Sequence, residues 1–118
     1  KKQLRLEDTT LETREDRQTV RFNLVNTSPD AQKIAGHIFV IQLHAQGMGV
    51  YPTPKATELA EGLKFNVGES FAVSRLRPVE APFVLAKEPR FLVLLFSREG
   101  DLLTREELTG PFKTQGNP

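Results

Sequence analysis

The sequence predicts an all-β fold: a mostly antiparallel sandwich of about seven strands, Ig-like in general build. Three observations lead to this prediction. Short apolar or alternating segments recur along the 118 residues. Turn-forming residues separate these segments at intervals of roughly 8–14 residues, and no segment has the length and period of an ordinary helix. This spacing is typical of an antiparallel sandwich or barrel and not of a βαβ fold.

The most apolar segment is Phe91–Phe96, which contains no polar side chain. Six residues are too few for an ordinary buried helix but suit a strand. Alternate side chains of a strand point to opposite faces, so both faces of this one are apolar. We therefore predict a central strand that is covered on both sides.

Two alternating segments near the N-terminus predict a hairpin. Leu4 and Leu6 alternate with charged residues, which indicates an edge strand. A polar turn follows at 15–17, and Val20–Leu24 then alternates strictly between apolar and polar residues. That alternation is the pattern of a strand with one buried face.

A second central strand is predicted at Ile34–Leu43, after a cluster of turn formers at 26–30. Its β-branched and aromatic residues favour a strand over a helix. Apolar residues occur on both of its faces, so we expect burial on both sides for most of its length.

The segment Ala45–Thr57 departs from this pattern. It contains Gly47, Gly49, Pro52 and Pro54 and only scattered apolar residues, which predicts a long loop. Loops of this length are uncommon in compact domains and are often functional.

Thr57–Glu61 predicts one helical turn, closed by Gly62. Residues 63–67 then alternate as a strand does, and a turn is expected at 68–69.

Phe71 and Val73 share one face of the next segment, whereas Leu76 lies on the other. Either this strand is buried on both sides or a bulge near Ser74 shifts its alternation. The prolines that follow, at 78 and 82, predict a strand at the edge of its sheet.

The C-terminal part of the chain predicts a hairpin and a tail. The turn at 98–101 contains a glycine, and the last strand begins at Leu102. We expect residues 1–109 to form a single sandwich domain. Residues 110–118 are rich in glycine, proline and polar residues, and we expect them to be frayed.

The composition excludes several classes of function. The chain has no cysteine, so it holds no disulfide, thiolate nucleophile or zinc–thiolate site. Basic residues total 16 and acidic residues 15, and a net charge of +1 gives no reason to expect nucleic-acid binding. No apolar run approaches the roughly 20 residues that span a bilayer.

Membrane attachment is therefore expected only through a segment outside this chain. The chain begins at Lys1 and not at methionine, so we expect it to be a piece of a longer protein from which a targeting segment could have been removed.

The residue types that carry catalysis are not arranged for it. The only histidines, His37 and His44, fall near opposite ends and on opposite faces of one predicted strand, so they cannot share a metal within that strand. No G-x-S-x-G elbow surrounds a serine. Gly47 and Gly49 are followed by Pro52 and not by a phosphate-binding helix. We predict no catalytic residue, no cofactor and no metal site.

Five residues are candidates for binding. Met48, Val50 and Tyr51 are apolar or amphipathic groups on the predicted loop, where such groups often form contact patches. Tyr51 could instead fold back as a lid on the end of the sandwich. Arg75 and Arg77 project from one face of a strand and could hold a carboxylate or phosphate, or could form a solvated face paired with acidic residues.

Four segments, 20–26, 34–40, 68–73 and 91–103, together resemble the C-terminal β domains of uncharacterised bacterial membrane-anchored envelope proteins. In that family a membrane helix and often a coiled coil precede the domain. The resemblance covers about residues 4–108 and is carried by strand patterns with turn glycines. It implies a periplasmic or otherwise extracytoplasmic location and a role in interaction; it transfers no functional residue.

These observations favour a non-catalytic interaction module of a larger envelope protein, which binds a protein partner or itself. The alternative is a β-sandwich that binds a small ligand or carbohydrate through the 45–57 loop, with Tyr51 and an arginine at the site. A glycan is therefore also a candidate partner.

Overall fold

The computed structural model describes residues 3–108 and 112–115. Within these ranges the chain forms nine strands, one short helix and one 3₁₀ turn. In chain order they are β1 (Leu4–Arg14), β2 (Arg17–Asn26), β3 (Ile34–His44), β4 (Gly47–Tyr51), α1 (Ala56–Ala60), the 3₁₀ turn (Phe65–Val67), β5 (Glu69–Val73), β6 (Leu76–Val84), β7 (Arg90–Ser97), β8 (Leu102–Leu108) and β9 (Lys113–Gln115).

The strands form two sheets that pack face to face. The first sheet has the order β6-β2-β1-β9, and the second has the order β4-β3-β7-β8, with β5 also paired to β3. All pairs are antiparallel except β1 with β9. Placing β1, β2 and β6 in one sheet and β3, β7 and β8 in the other is the strand order of an Ig-like sandwich. The predicted fold class is confirmed.

The core lies between the inner faces of the two sheets. In β2 the predicted alternation holds, since Val20, Phe22 and Leu24 are buried. Opposite them, Val93 and Leu95 of β7 are fully buried. The β3–β7 register places these two beside Val40 and Ile38, so the inner apolar rows of neighbouring strands are continuous.

The outer face of the second sheet is less covered than predicted. Leu92, Leu94 and Phe96 of β7 are only half-buried. The segment between β4 and β5 crosses this face at one end, where the Phe65 ring packs 6.3 Å from that of Phe96. The prediction that Phe91–Phe96 is covered on both sides is right for its inner face and wrong for its outer face.

The first half of the predicted 45–57 loop is a strand. A two-residue turn at 45–46 brings Gly47 opposite His44, and β4 then pairs with β3 as far as Tyr51. The loop prediction is wrong here because the glycines of β4 are compatible with a strand whose hydrogen bonds come from a neighbour. The one-turn helix is confirmed at Ala56–Ala60, and Gly62 follows it with a φ of +89°.

The segment that joins α1 to β5 does not form the predicted strand. Phe65–Val67 makes a 3₁₀ turn, which directs the Phe65 ring toward His37 at 5.8 Å. Gly68 follows and lies against the backbone of β3, where an added Cβ would approach the Ile38 carbonyl oxygen to 2.7 Å. The expected turn at 68–69 is wrong as well, since β5 begins at Glu69.

A bend at 74–75 separates β5 from β6, and the inward-facing positions stay odd-numbered across it, from Phe71 and Val73 to Val79. Leu76 is exposed, so both explanations offered for it, burial on both sides and a bulge near Ser74 that shifts the alternation, are wrong. Pro78 and Pro82 lie in β6, which confirms the predicted edge because β6 ends the first sheet.

The C-terminal hairpin is confirmed, with Gly100 at a φ of +99°. Part of the segment expected to be frayed is a strand: β9 pairs with Thr10–Glu12 of β1, which is therefore flanked on both sides. Just before β9, the Phe112 ring packs 6.0 Å from that of Phe91. The other residues of that segment, 110–111 and 116–118, lie outside the described residues.

Candidate functional site

A groove of about 570 Å³ opens on the side of the sandwich where β4 of the second sheet approaches β6 of the first. Four separate parts of the chain surround it: the start of β2, the β3–β4 hairpin, the segment around α1, and the end of β6. Its described lining comprises Arg17, Gln42, His44, Met48, Gly49, Val50, Thr53, Pro54, Leu59, Pro82, Phe83, Val84 and Leu85.

Gly49 lies at the floor of the groove, where the two sheets are in close contact. The β3–β4 register places it opposite Gln42. A Cβ atom added at this position would lie 3.0 Å from the side-chain oxygen of Gln42 and 3.0 Å from the Phe83 ring. The absence of a side chain therefore lets the two sheets approach each other closely at this point.

Beneath the floor, two buried glutamines connect the two sheets. Gln42 Nε2 donates to Gln18 Oε1 at 2.7 Å and to the Val84 carbonyl at 2.9 Å. The backbone N–H of Ala86 donates to Gln18 Oε1 at 3.3 Å. Buried amides must find partners, and these find them in each other and in the end of β6. The network holds β6 beside β4 and so positions one wall of the groove.

The walls of the groove are apolar and exposed to solvent. Met48, Leu59, Val84 and Leu85 are exposed by 60%, 58%, 69% and 43%. They are four of the eight large apolar side chains that are exposed in the described part of the chain. Apolar groups concentrated around one depression mark a contact surface more often than scattered ones do.

The charge of the groove is one-sided. Among its described lining residues, Arg17 carries the single formal charge and no carboxylate is present. His44 stands at the same end, where its Nδ1 accepts a hydrogen bond of 3.3 Å from the Gln46 backbone. The groove therefore suits an apolar ligand that carries a negative charge at this end.

A second cluster lies beside the groove, at the other end of β4. The Tyr51 hydroxyl donates to Glu69 Oε1, and Arg77 Nη2 donates to Glu69 Oε2 at 2.7 Å. Burial, and then the hydrogen bond to Glu69, raise the pKa of Tyr51 to about 12. At neutral pH the phenol is thus a neutral donor that is already paired.

The structure divides the five residues predicted to bind. Met48 and Val50 line the groove. Tyr51 packs against the core, which agrees with the alternative in which it folds back onto the sandwich. It meets Arg77 only through Glu69. Arg75 lies in the bend before β6, exposed, with its carbonyl oxygen accepting from the Asn26 backbone at 2.8 Å.

Sequence reasoning missed the other walls of the groove. Leu59, Val84, Leu85 and Arg17 come from segments that are far apart along the chain, and only the sheet pairing brings them to Met48. The one local signal was the apolar pair at 84–85, which continues past the alternating positions of β6.

The two histidines lie as the sequence predicted, near opposite ends of β3 and on opposite faces. In residues 3–108 and 112–115, no three His, Asp or Glu side chains come together as metal ligands. The same part of the chain has no helix of the length and apolarity needed to span a bilayer.

The outer face of the first sheet carries a more polar cavity of about 550 Å³. It opens where β1 breaks register between Glu7 and Thr10. Beside it, Arg21 bonds to Glu12 at 2.6 Å and also to Glu80. These charges satisfy each other, so the cavity carries less indication of a ligand than the groove does.

Comparison with models of known protein families gives no match, and the search of curated proteins gives none either.

Proposed function

We propose that this domain is a non-catalytic interaction module of a larger bacterial envelope protein, and that it binds a protein partner or a second copy of itself through the groove between β4 and β6. The observation that carries the proposal is the convergence of Met48, Leu59, Val84 and Leu85 on one depression. Exposed apolar groups cost free energy in water and return it when a partner covers them.

The polar groups around the groove favour binding through apolar contacts, because they are already bonded to one another. Gln18 and Gln42 bond to each other, and Tyr51 and Arg77 are both bonded to Glu69. These groups are committed to the fold. A partner would then be held by apolar side chains, with Arg17 as the charge that orients it.

The proposal is tested with a matched pair of substitutions. Met48→Glu places a charge in the groove, and Leu102→Glu places the same charge on a side chain that is 52% exposed on another strand and is not among the groove's lining residues. We expect Met48→Glu to abolish partner capture from an envelope extract, or self-association in sedimentation velocity, because it puts a carboxylate into an apolar contact. Leu102→Glu should leave binding unchanged.

Equal binding by wild type and the Met48→Glu variant would contradict the proposal. Circular dichroism and urea unfolding of both variants provide the control, since exposed substitutions should change stability by no more than about 0.5 kcal/mol.

The second candidate is a module that binds a small ligand or carbohydrate. The volume of the groove favours it, because small-molecule sites span roughly 300–1,000 Å³. A glycan array and a thermal-shift screen test this candidate. A ligand whose binding is lost in Val50→Glu but kept in Leu102→Glu would support it, and the absence of any hit would contradict it.

The extracytoplasmic location is proposed from the resemblance to envelope proteins. A fusion of alkaline phosphatase to the C-terminus of the domain, in its full-length parent, tests this location. The phosphatase is active only where its disulfides can form. Activity of the fusion would support export; an inactive but intact fusion would contradict it.

A further inference from the structure

Four strands of five or more residues, β4, β5, β6 and β8, are each paired along one edge only among the described strands. The unpaired backbone groups of a strand edge can form hydrogen bonds with another strand unless proline or charged side chains prevent it. β5 begins with the charged residue Glu69. The β6 edge contains Pro78 and Pro82, and β8 carries the charged run Arg105–Glu107. β4, which reads Gly-Met-Gly-Val-Tyr, has neither proline nor charge.

The backbone of β4 is expected to present hydrogen-bonding groups along this edge. The two-residue turn makes His44 and Gly47 a bonded pair, and bonded pairs alternate along an antiparallel ladder. The N–H and C=O groups of Met48 and Val50 should then point away from β3. The described part of the chain contains no other strand paired with β4.

The groove runs along β4, since Met48, Gly49 and Val50 are among its lining residues. Val84 and Leu85 flank it on the side of β6, and Pro54 and Leu59 flank it on the side of α1. A strand added to a sheet lies about 4.8 Å from its neighbour and points alternate side chains to its two faces. A peptide placed here would thus direct its side chains alternately toward these two apolar walls.

The position of Arg17 gives the added strand a direction. β2 begins at Arg17, β3 ends at His44 and β4 begins at Gly47, so all three lie at one end of the sandwich. A strand antiparallel to β4 would bring its own C-terminal end to Gly47. A carboxylate near that end would therefore meet Arg17, which has no ion pair with another described residue.

We infer that the free edge of β4 binds an extended, apolar peptide segment of a partner protein as an added antiparallel strand, with an Asp or Glu side chain near its C-terminal end opposite Arg17. This inference rests on the proposed function, because it assumes that the groove is the site of protein binding. It adds the conformation, direction and charge of the bound segment. Main-chain hydrogen bonds give affinity in this mode of recognition, and alternate side chains give specificity.

The first test is a selection with a library of random nine-residue peptides displayed on phage, applied to the whole chain. We expect enrichment of peptides in which apolar residues alternate over about five positions and are followed by Asp or Glu. No enrichment, or enrichment of peptides with a helical apolar spacing, would overturn the inference. Alternating peptides without the acidic residue would overturn the role of Arg17.

The second test uses the best enriched peptide, acetylated and amidated so that its only carboxylate is the side chain, in fluorescence polarisation. Arg17→Gln should weaken binding about threefold, the range of an exposed ion pair, whereas Arg75→Gln should have no effect. Methylation of one backbone nitrogen that faces β4 should weaken binding about tenfold by removing a hydrogen bond and adding a clash, and methylation of the next nitrogen should not. Equal effects of the two methylations would overturn strand addition.

The two proposals fail in different ways. If Met48→Glu abolishes association with a partner while no extended peptide is selected, the groove is an interaction site and the strand-addition inference is wrong. If Met48→Glu has no effect on partner binding or on any selected peptide, the proposed function itself is wrong.

Discussion

The hydroxyl of Tyr51, at the end of β4, is held in place by the carboxylate of Glu69. It donates to Glu69, whose second oxygen accepts from Arg77. Tyr51 and Arg77 were both predicted as binding residues from the sequence, whereas Glu69, which joins them, was not among those candidates. The sequence shows residue types but not that this carboxylate, 18 positions from Tyr51, lies between them.

The pKa of Tyr51 gives a direct test of this cluster. It is raised from 10.0 to about 12 by burial and by Glu69, so the folded state favours the protonated phenol. Its contribution to stability is fully present below pH 10 and should be lost as the pH rises from 10 to about 12. The chain has one tyrosine and no tryptophan, so phenolate absorbance reports this group alone.

We expect the absorbance midpoint of the folded protein to lie near 12 and that of the urea-unfolded protein near 10. In the Glu69→Gln variant the folded midpoint should move down, because the acceptor charge is lost. A folded midpoint near 10 would show that the phenol is solvated and that the cluster does not form.

At the scale of elements, the sequence predicted the strands that place a face in the core. β2 was predicted from its strict alternation, β3 and β7 from their short apolar segments, and β6 from its prolines. β4 was missed because its glycines are typical of a loop, and its strand conformation depends on pairing with β3. The turn around Phe65 was missed because three apolar residues at alternate positions fit a strand as well as a turn that packs onto a sheet.

The two faces of β7 can be compared with neighbouring leucines. Leu95 is fully buried between the sheets, whereas Leu94 is half-buried on the outer face. Leu95→Ala should lower the free energy of unfolding by about 2–5 kcal/mol, as it does at other core leucines. Leu94→Ala should lower the free energy of unfolding by about half as much, because folding removes less apolar surface from water at this position.

Urea unfolding of the two variants measures this difference. Both variants truncate a leucine to alanine on the same strand, so they differ only in the face that is changed. Equal losses would mean that both faces are covered to the same extent, as the sequence alone had indicated. A larger loss at Leu94 would contradict the assignment of the core to the inner face.

At the scale of the whole molecule, the groove exists because two sheet edges meet. The fold class was predictable from regular strands and turns, but the groove was not. Its walls come from positions 48, 59 and 84–85, and they adjoin only after β6 has joined the first sheet and β4 the second. The buried pair of Gln18 and Gln42 fixes that approach, and neither residue has a local sequence pattern that marks it.

The strand edges of the molecule differ in how they are protected from pairing with another chain. The chain blocks β6 with prolines and β8 with charges, which limits unwanted association. It leaves β4 open beside an apolar groove. Among the described edge strands of five or more residues, β4 is the one that has neither proline nor charge, which is consistent with a function for its edge.

Amide hydrogen exchange along β4 tests this claim most directly. In the free protein, the amides of Met48 and Val50 should exchange quickly and those of Gly49 and Tyr51 slowly, because only the latter should bond to β3. With a selected peptide bound, the amides of Met48 and Val50 should become protected. Protection of all four amides in the free protein, or unchanged exchange at Met48 and Val50 in the complex, would contradict the account.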